Sequence, residues 1–76
     1  MSHELPALPS RKVIRALERG GFVVHHVTGS HYALRHPDAP HLRVVVPYHN
    51  KDLKHSTLRS IIKQAGLTNE EFLELL

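Results

Sequence analysis

Apolar residues recur along this chain with two different periods. Val13, Ala16 and Leu17 fall on one helical face with Ile14 beside them, while Arg11, Lys12, Arg15 and Arg19 occupy the other side. Ser10 precedes this run as an N-cap residue, and Gly20 and Gly21 end it. The pattern then becomes strand-like. Phe22 to Val27 is rich in β-branched and aromatic residues, and two alternating stretches follow. In the first of them Tyr32, Leu34 and His36 share one face and His31, Ala33 and Arg35 the other; in the next, Leu42, Val44 and Val46 oppose His41, Arg43 and Val45. The strand from Phe22 to Val27 is apolar on both parities, which leaves its register open. Thr28, Gly29 and Ser30 predict a short hairpin loop, and the segment from Pro37 to Pro40 closes a second hairpin.

Helical spacing returns after a polar segment, Tyr48 to His55. Leu58, Ile61, Ile62 and Ala65 form a single stripe that Gly66 ends, and Thr68 with Glu71 three residues later forms a capping box for a short last helix. Phe72, Leu75 and Leu76 of that helix are positioned to dock on the core. The order predicts an α+β fold of the type α-β-β-β-α, with a three-stranded antiparallel sheet, two helices on one of its faces and a short C-terminal helix. At 76 residues the chain has room for one domain, 1–76, with a small core, and it contains no repeat or linker.

Charge narrows the class of partner. The formal net charge is +3, the sequence pI is about 9.7, and eight histidines add positive charge below neutrality. A polyanion is the natural counterpart. Arg11, Arg15 and Arg19 are spaced four apart, a stripe suited either to a phosphate backbone or to plain solvation. The absence of cysteine excludes disulfides and thiolate metal sites. Met1 to Ser10 has no signal-peptide core and no apolar run is long enough to span a bilayer, so a cytoplasmic location is expected.

The histidines carry the candidate chemistry. His31 and His36 point to opposite faces of one strand, His25 and His26 do likewise, and no pair has the i, i+4 helical spacing of a zinc protease. No metal and no cofactor are therefore expected. In Gly29-Ser30-His31, by contrast, a glycine turn delivers an imidazole onto the start of a strand.

Leu8-Pro9-Ser10, Gly20-Gly21-Phe22, Gly29-Ser30-His31, Val46-Pro47-Tyr48-His49 and the run from Thr57 to Leu67 follow one another in an order that resembles the HicA family, small ribonuclease toxins of prokaryotic toxin-antitoxin pairs. The resemblance extends from about Leu8 to the C-terminus. The element order is also similar to that of the double-stranded RNA-binding domain, an architecture the HicA family shares. Two features depart from the family pattern: His55 and Ser56 precede Thr57 where lysine or glycine is expected, and Pro37 to Pro40 stiffens the second hairpin loop.

The resemblance implies a metal-independent endoribonuclease that cleaves mRNA and arrests growth until a HicB-like antitoxin restrains it. RNA carries its own nucleophile, the 2′-hydroxyl, so such an enzyme needs a base for that proton and positive charge around the phosphate. Histidine, with an unperturbed pKa of about 6.5, suits the base. His31 matches the family's catalytic histidine, with Gly29 and Ser30 forming the loop that positions it. By position, Arg35 and Arg43, which add positive charge to the open sheet face near His31, are candidates for phosphate contact and charge stabilisation, and Lys51 and Lys54, near the start of the second long helix, for gripping RNA further out. His49 matches the family's Pro-x-His segment but stays outside the catalytic set, and the general acid is unassigned. Composition alone fits two other classes, a non-catalytic RNA-binding module of double-stranded RNA-binding-domain type and a protein-interaction adaptor.

Overall fold

The computed structural model describes residues 5–76; His3 lies outside them. The chain runs α1 (Ser10–Arg19), β1 (Val23–Thr28), β2 (His31–His36), β3 (Ala39–Pro47), α2 (His55–Gln64) and α3 (Asn69–Glu74). The sheet is antiparallel in the order β1-β2-β3, with β2 central. This is the α+β arrangement that the sequence predicts.

Both helices pack on one face of the sheet. Leu34, Val44 and Val46 point to that face and are fully buried against Val13, Ala16 and Leu17 of α1 and Leu58, Ile61 and Ile62 of α2. Phe72 of α3 closes the core, and the Thr68–Glu71 capping box is present with both of its hydrogen bonds, at 2.8 and 3.1 Å. Leu76, expected to dock beside it, is 45% exposed. The C-terminal end is held instead by Arg19, whose Nη1 donates to the Leu75 carbonyl at 2.9 Å.

Each long helix ends on a glycine for the same reason. In α1 the amide of Gly21 donates to Glu18 O and that of Phe22 to Leu17 O; in α2 the amide of Gly66 donates to Lys63 O and that of Leu67 to Ile62 O. These are paired Schellman bonds, which need a left-handed residue, and Gly21 and Gly66 supply it at φ +96° and +71°.

Several local expectations change. Ser10 is not the N-cap of α1: the carbonyl of Pro9 accepts the first helical bonds, from Lys12 and Val13, so Pro9 takes that position and Ser10 begins the helix. The first hairpin loop is two residues, Gly29 and Ser30, because Thr28 is still paired, opposite His31. Gly29 alone has positive φ (54°), the arrangement of a type II′ turn. The second turn is Pro37-Asp38 only, since Ala39 already pairs with His36 and Pro40 lies within β3. The register then slips along Pro40 to Leu42 before Arg35 meets Arg43. Ala33, on the open face, is nevertheless buried, its small side chain lying between the cross-strand neighbours His26 and Val45.

Candidate functional site

The open face of the sheet is built in three cross-strand rows: Thr28–His31–Pro47, His26–Ala33–Val45 and Val23–Arg35–Arg43. His31 stands at one end of the central strand, immediately after the two-residue turn. Its side chain is exposed. The turn fixes it from both sides, through the pairings with Thr28 and Pro47, and the β2–β3 ladder continues one step beyond it, where the amide of Tyr48 donates to the carbonyl of Ser30. A two-residue hairpin with the glycine at its first position thus holds the imidazole on a rigid element, presented to solvent.

The other histidines are placed differently. His36, on the covered side of β2, directs Nε2 to the carbonyl of Gly20 at 3.1 Å and accepts the amide of Asp38 at Nδ1, also at 3.1 Å. Because the carbonyl can only accept and the amide can only donate, these two bonds select the Nε2–H tautomer. The ring also meets Phe22 edge-on, with centroids 5.0 Å apart. His36 is a structural residue joining the α1–β1 turn to the β2–β3 turn. His49 accepts the amide of Lys51 at Nδ1 (3.3 Å), which leaves Nε2 as the ring nitrogen without a partner among the described residues. His31 has neither kind of tether among the described residues. No group of three or more His, Cys, Asp or Glu side chains that could hold a metal ion occurs among the described residues.

The candidate cations do not converge on one point. Arg35 and Arg43 are both exposed and sit directly opposite each other, but not near His31 as expected: they lie four residues along β2 from it, about 13 Å at 3.3 Å per residue. Lys51 follows Tyr48 and His49 in the segment leaving the His31 end of β3, and Lys54 is the N-cap of α2. Both lysines are exposed.

Two features of this region have no counterpart in the sequence pattern. The first is Ser10, fully buried, whose hydroxyl bonds to Pro47 O. The second is the stacked pair Tyr32–Tyr48, with centroids 4.8 Å apart and ring planes 25° from parallel. Alternation along β2 gives Tyr32 its direction, whereas Tyr48 lies in an aperiodic polar segment that carries no such signal.

Among the described residues no helix is long and apolar enough to cross a membrane. No curated protein matches the chain. Residues 10–67, from the first residue of α1 to the end of the Schellman turn after α2, match the family model described as HicA toxin of bacterial toxin-antitoxin. That match takes in the whole sheet, both long helices and the turn bearing His31, so the chain belongs to the HicA family of toxins of bacterial toxin-antitoxin systems, a membership that implies a cognate antitoxin as partner.

Proposed function

We propose that the protein is a metal-independent endoribonuclease that cleaves mRNA, with His31 as general base, and that a HicB-like antitoxin restrains it by covering the open face around His31. The observation that carries this reading is the setting of His31: an exposed imidazole without a backbone tether, at a rigid sheet end, in a chain whose other strand histidine on β2 is locked into one tautomer. A base that must take and release a proton needs a ring nitrogen open to the substrate.

In the reaction a ring nitrogen of His31 removes the 2′-hydroxyl proton of the nucleotide on the 5′ side of the cut. The 2′-oxygen then bonds to phosphorus and the bond from phosphorus to the 5′-oxygen breaks. The products are a 2′,3′-cyclic phosphate and a 5′-hydroxyl, whose proton comes from a solvent molecule or an acid of the protein. Lys51, in the segment that leaves the His31 end of β3, and Lys54, at the start of α2, supply positive charge to the RNA backbone, whereas Arg35 and Arg43 contact the RNA further along the sheet. The location consistent with such a substrate is the cytoplasm.

The experiment is incubation of the full chain and of His31→Ala with a long single-stranded RNA in excess chelator, followed by analysis of product ends. Cleavage by the unmutated protein alone, with cyclic phosphate ends, is expected. Intact RNA in both samples, with RNA binding retained, would instead identify a non-catalytic binding module.

A further inference from the structure

Behind the turn that carries His31, on the helix-covered side of the sheet, Tyr32 and Tyr48 form the floor of a shallow groove whose wall is α1. Arg11, Arg15 and Glu18 line it from the helix and Val24 from β1. The groove continues past Arg11 and Tyr48 to Pro9, His49 and Asn50. We infer that this groove is a second RNA-binding site, in which an unpaired base stacks on the tyrosine pair while Arg11 and Arg15 neutralise its flanking phosphates; the inference rests on RNA being the substrate, as proposed above.

Four observations support it. Tyr48 as a residue is 39% exposed even though its ring lies against Tyr32, and it lines both parts of the groove, where a third ring can reach it. The platform is preorganised: Tyr32 is partly buried against the core, and the amide of Tyr48 is bonded to Ser30 O. Stacking on it therefore orders little that is not already ordered. Arg11 and Arg15 are four residues apart on one helix face, both exposed, and neither is held in an ion pair among the described residues. Lastly, Tyr32 follows His31 directly and projects to the opposite side of β2, so a strand with its scissile phosphate at His31 reaches the groove by passing over the end of the sheet. A nucleotide answers both halves of the site, a flat aromatic base for the tyrosines and a phosphate for each arginine. Glu18, at the Arg15 end, sets a boundary to phosphate binding. Since a base must leave its helix to stack here, the groove selects single strands over duplex without reading their sequence.

The test uses a fluorescein-labelled single-stranded oligonucleotide with 2′-O-methyl ribose throughout, which lacks the nucleophile and reports binding without cleavage. Loss of a stacked base in Tyr48→Ala is expected to weaken binding roughly 5- to 150-fold, with Tyr48→Phe close to the unmutated protein. The Arg11→Ala, Arg15→Ala double variant, at exposed positions that leave the core intact, is expected to lower the slope of log affinity against log salt by about 1.4, about 0.7 for each single-strand phosphate that an arginine no longer neutralises. The chain has two tyrosines and no tryptophan, so its intrinsic emission arises from the stacked pair, and the unlabelled oligonucleotide should quench it. Unchanged affinity in Tyr48→Ala and an unchanged salt slope in the arginine variant overturn the groove while leaving the nuclease reading intact. No binding by the unmutated protein overturns both. Loss of antitoxin binding in Tyr48→Ala with RNA affinity unchanged assigns the groove to the protein partner and overturns the inference.

Discussion

The hydroxyl of Ser10 donates a 2.7 Å hydrogen bond to the carbonyl of Pro47, 37 residues later in the chain, and the same oxygen accepts the amide of His49 at 3.4 Å. Pro47 is the cross-strand partner of His31. One fully buried hydroxyl therefore pins the first turn of α1 to the end of the sheet where the candidate base stands. Ser10→Ala removes the donor and leaves a partly buried carbonyl without it, an expected loss of about 1–3 kcal/mol of unfolding free energy. In a chain of 76 residues that is a large share of the total. Urea denaturation of the two proteins measures it; equal midpoints would show that the bond contributes nothing.

His31 and His36 occupy the two ends of one strand and invite opposite substitutions. His31→Ala replaces an exposed side chain without described bonds, so stability is expected to change by less than about 0.5 kcal/mol while RNA cleavage is lost. His36→Ala deletes two hydrogen bonds and the edge contact with Phe22, and the expected cost is about 1–3 kcal/mol with cleavage retained in the folded fraction. Thermal melts and a gel-based cleavage assay on both variants separate the roles. Cleavage by folded His31→Ala at the unmutated rate would remove His31 from the mechanism.

Gly21 and Gly29 both have positive φ, yet their surroundings rank them. A Cβ at Gly21 would lie 2.6 Å from Nε2 of His36, the atom that bonds to Gly20, whereas a Cβ at Gly29 meets nothing within 4 Å. Gly29→Ala should carry only the backbone penalty of a side chain at that positive φ, about 1–3 kcal/mol. Gly21→Ala should cost more, because it also displaces the His36 ring. Chemical denaturation of the two variants checks the order, and a smaller loss at Gly21 would mean that His36 yields without consequence.

The parts of this molecule that were legible in the sequence are those set by short-range pattern. The alternation in β2 and β3 places Leu34, Val44 and Val46 inward and His31, Arg35 and Arg43 outward, and the four-residue Thr68–Glu71 signature places a cap where one forms. Ser10 misled because its preference for N-caps is local, whereas its actual bonds reach residues 47 and 49. The register of β1 was unreadable because an irregularity between Val24 and His26 shifts the pairing within a run that is apolar on both parities. The Tyr32–Tyr48 stack joins a strand to an aperiodic segment, and only the hairpin geometry brings the rings together. That Arg35 lies far from His31 follows from counting along an extended strand. That Arg43 faces Arg35 does not, since the register slip after His36 decides it.

That last pairing has an energetic consequence. Like charges directly opposite on a sheet repel, so facing Arg35 and Arg43 are expected to destabilise the free protein and to be relieved by an anion placed between them. Arg43→Thr removes the repulsion and places a β-branched residue in the strand, with an expected gain of about 0.2–1 kcal/mol in unfolding free energy. The same change should weaken RNA binding and lower the salt slope by about 0.7, the value for neutralising one phosphate of a single strand. Because the pair sits about 13 Å along the strand from His31, the loss should fall on KM, with kcat close to unchanged. Denaturation with and without RNA, together with cleavage kinetics across a salt series, tests this. A stability loss in the free protein, or a fall in kcat at unchanged KM, would show that Arg43 supports the fold or the reacting phosphate rather than holding RNA at a distance.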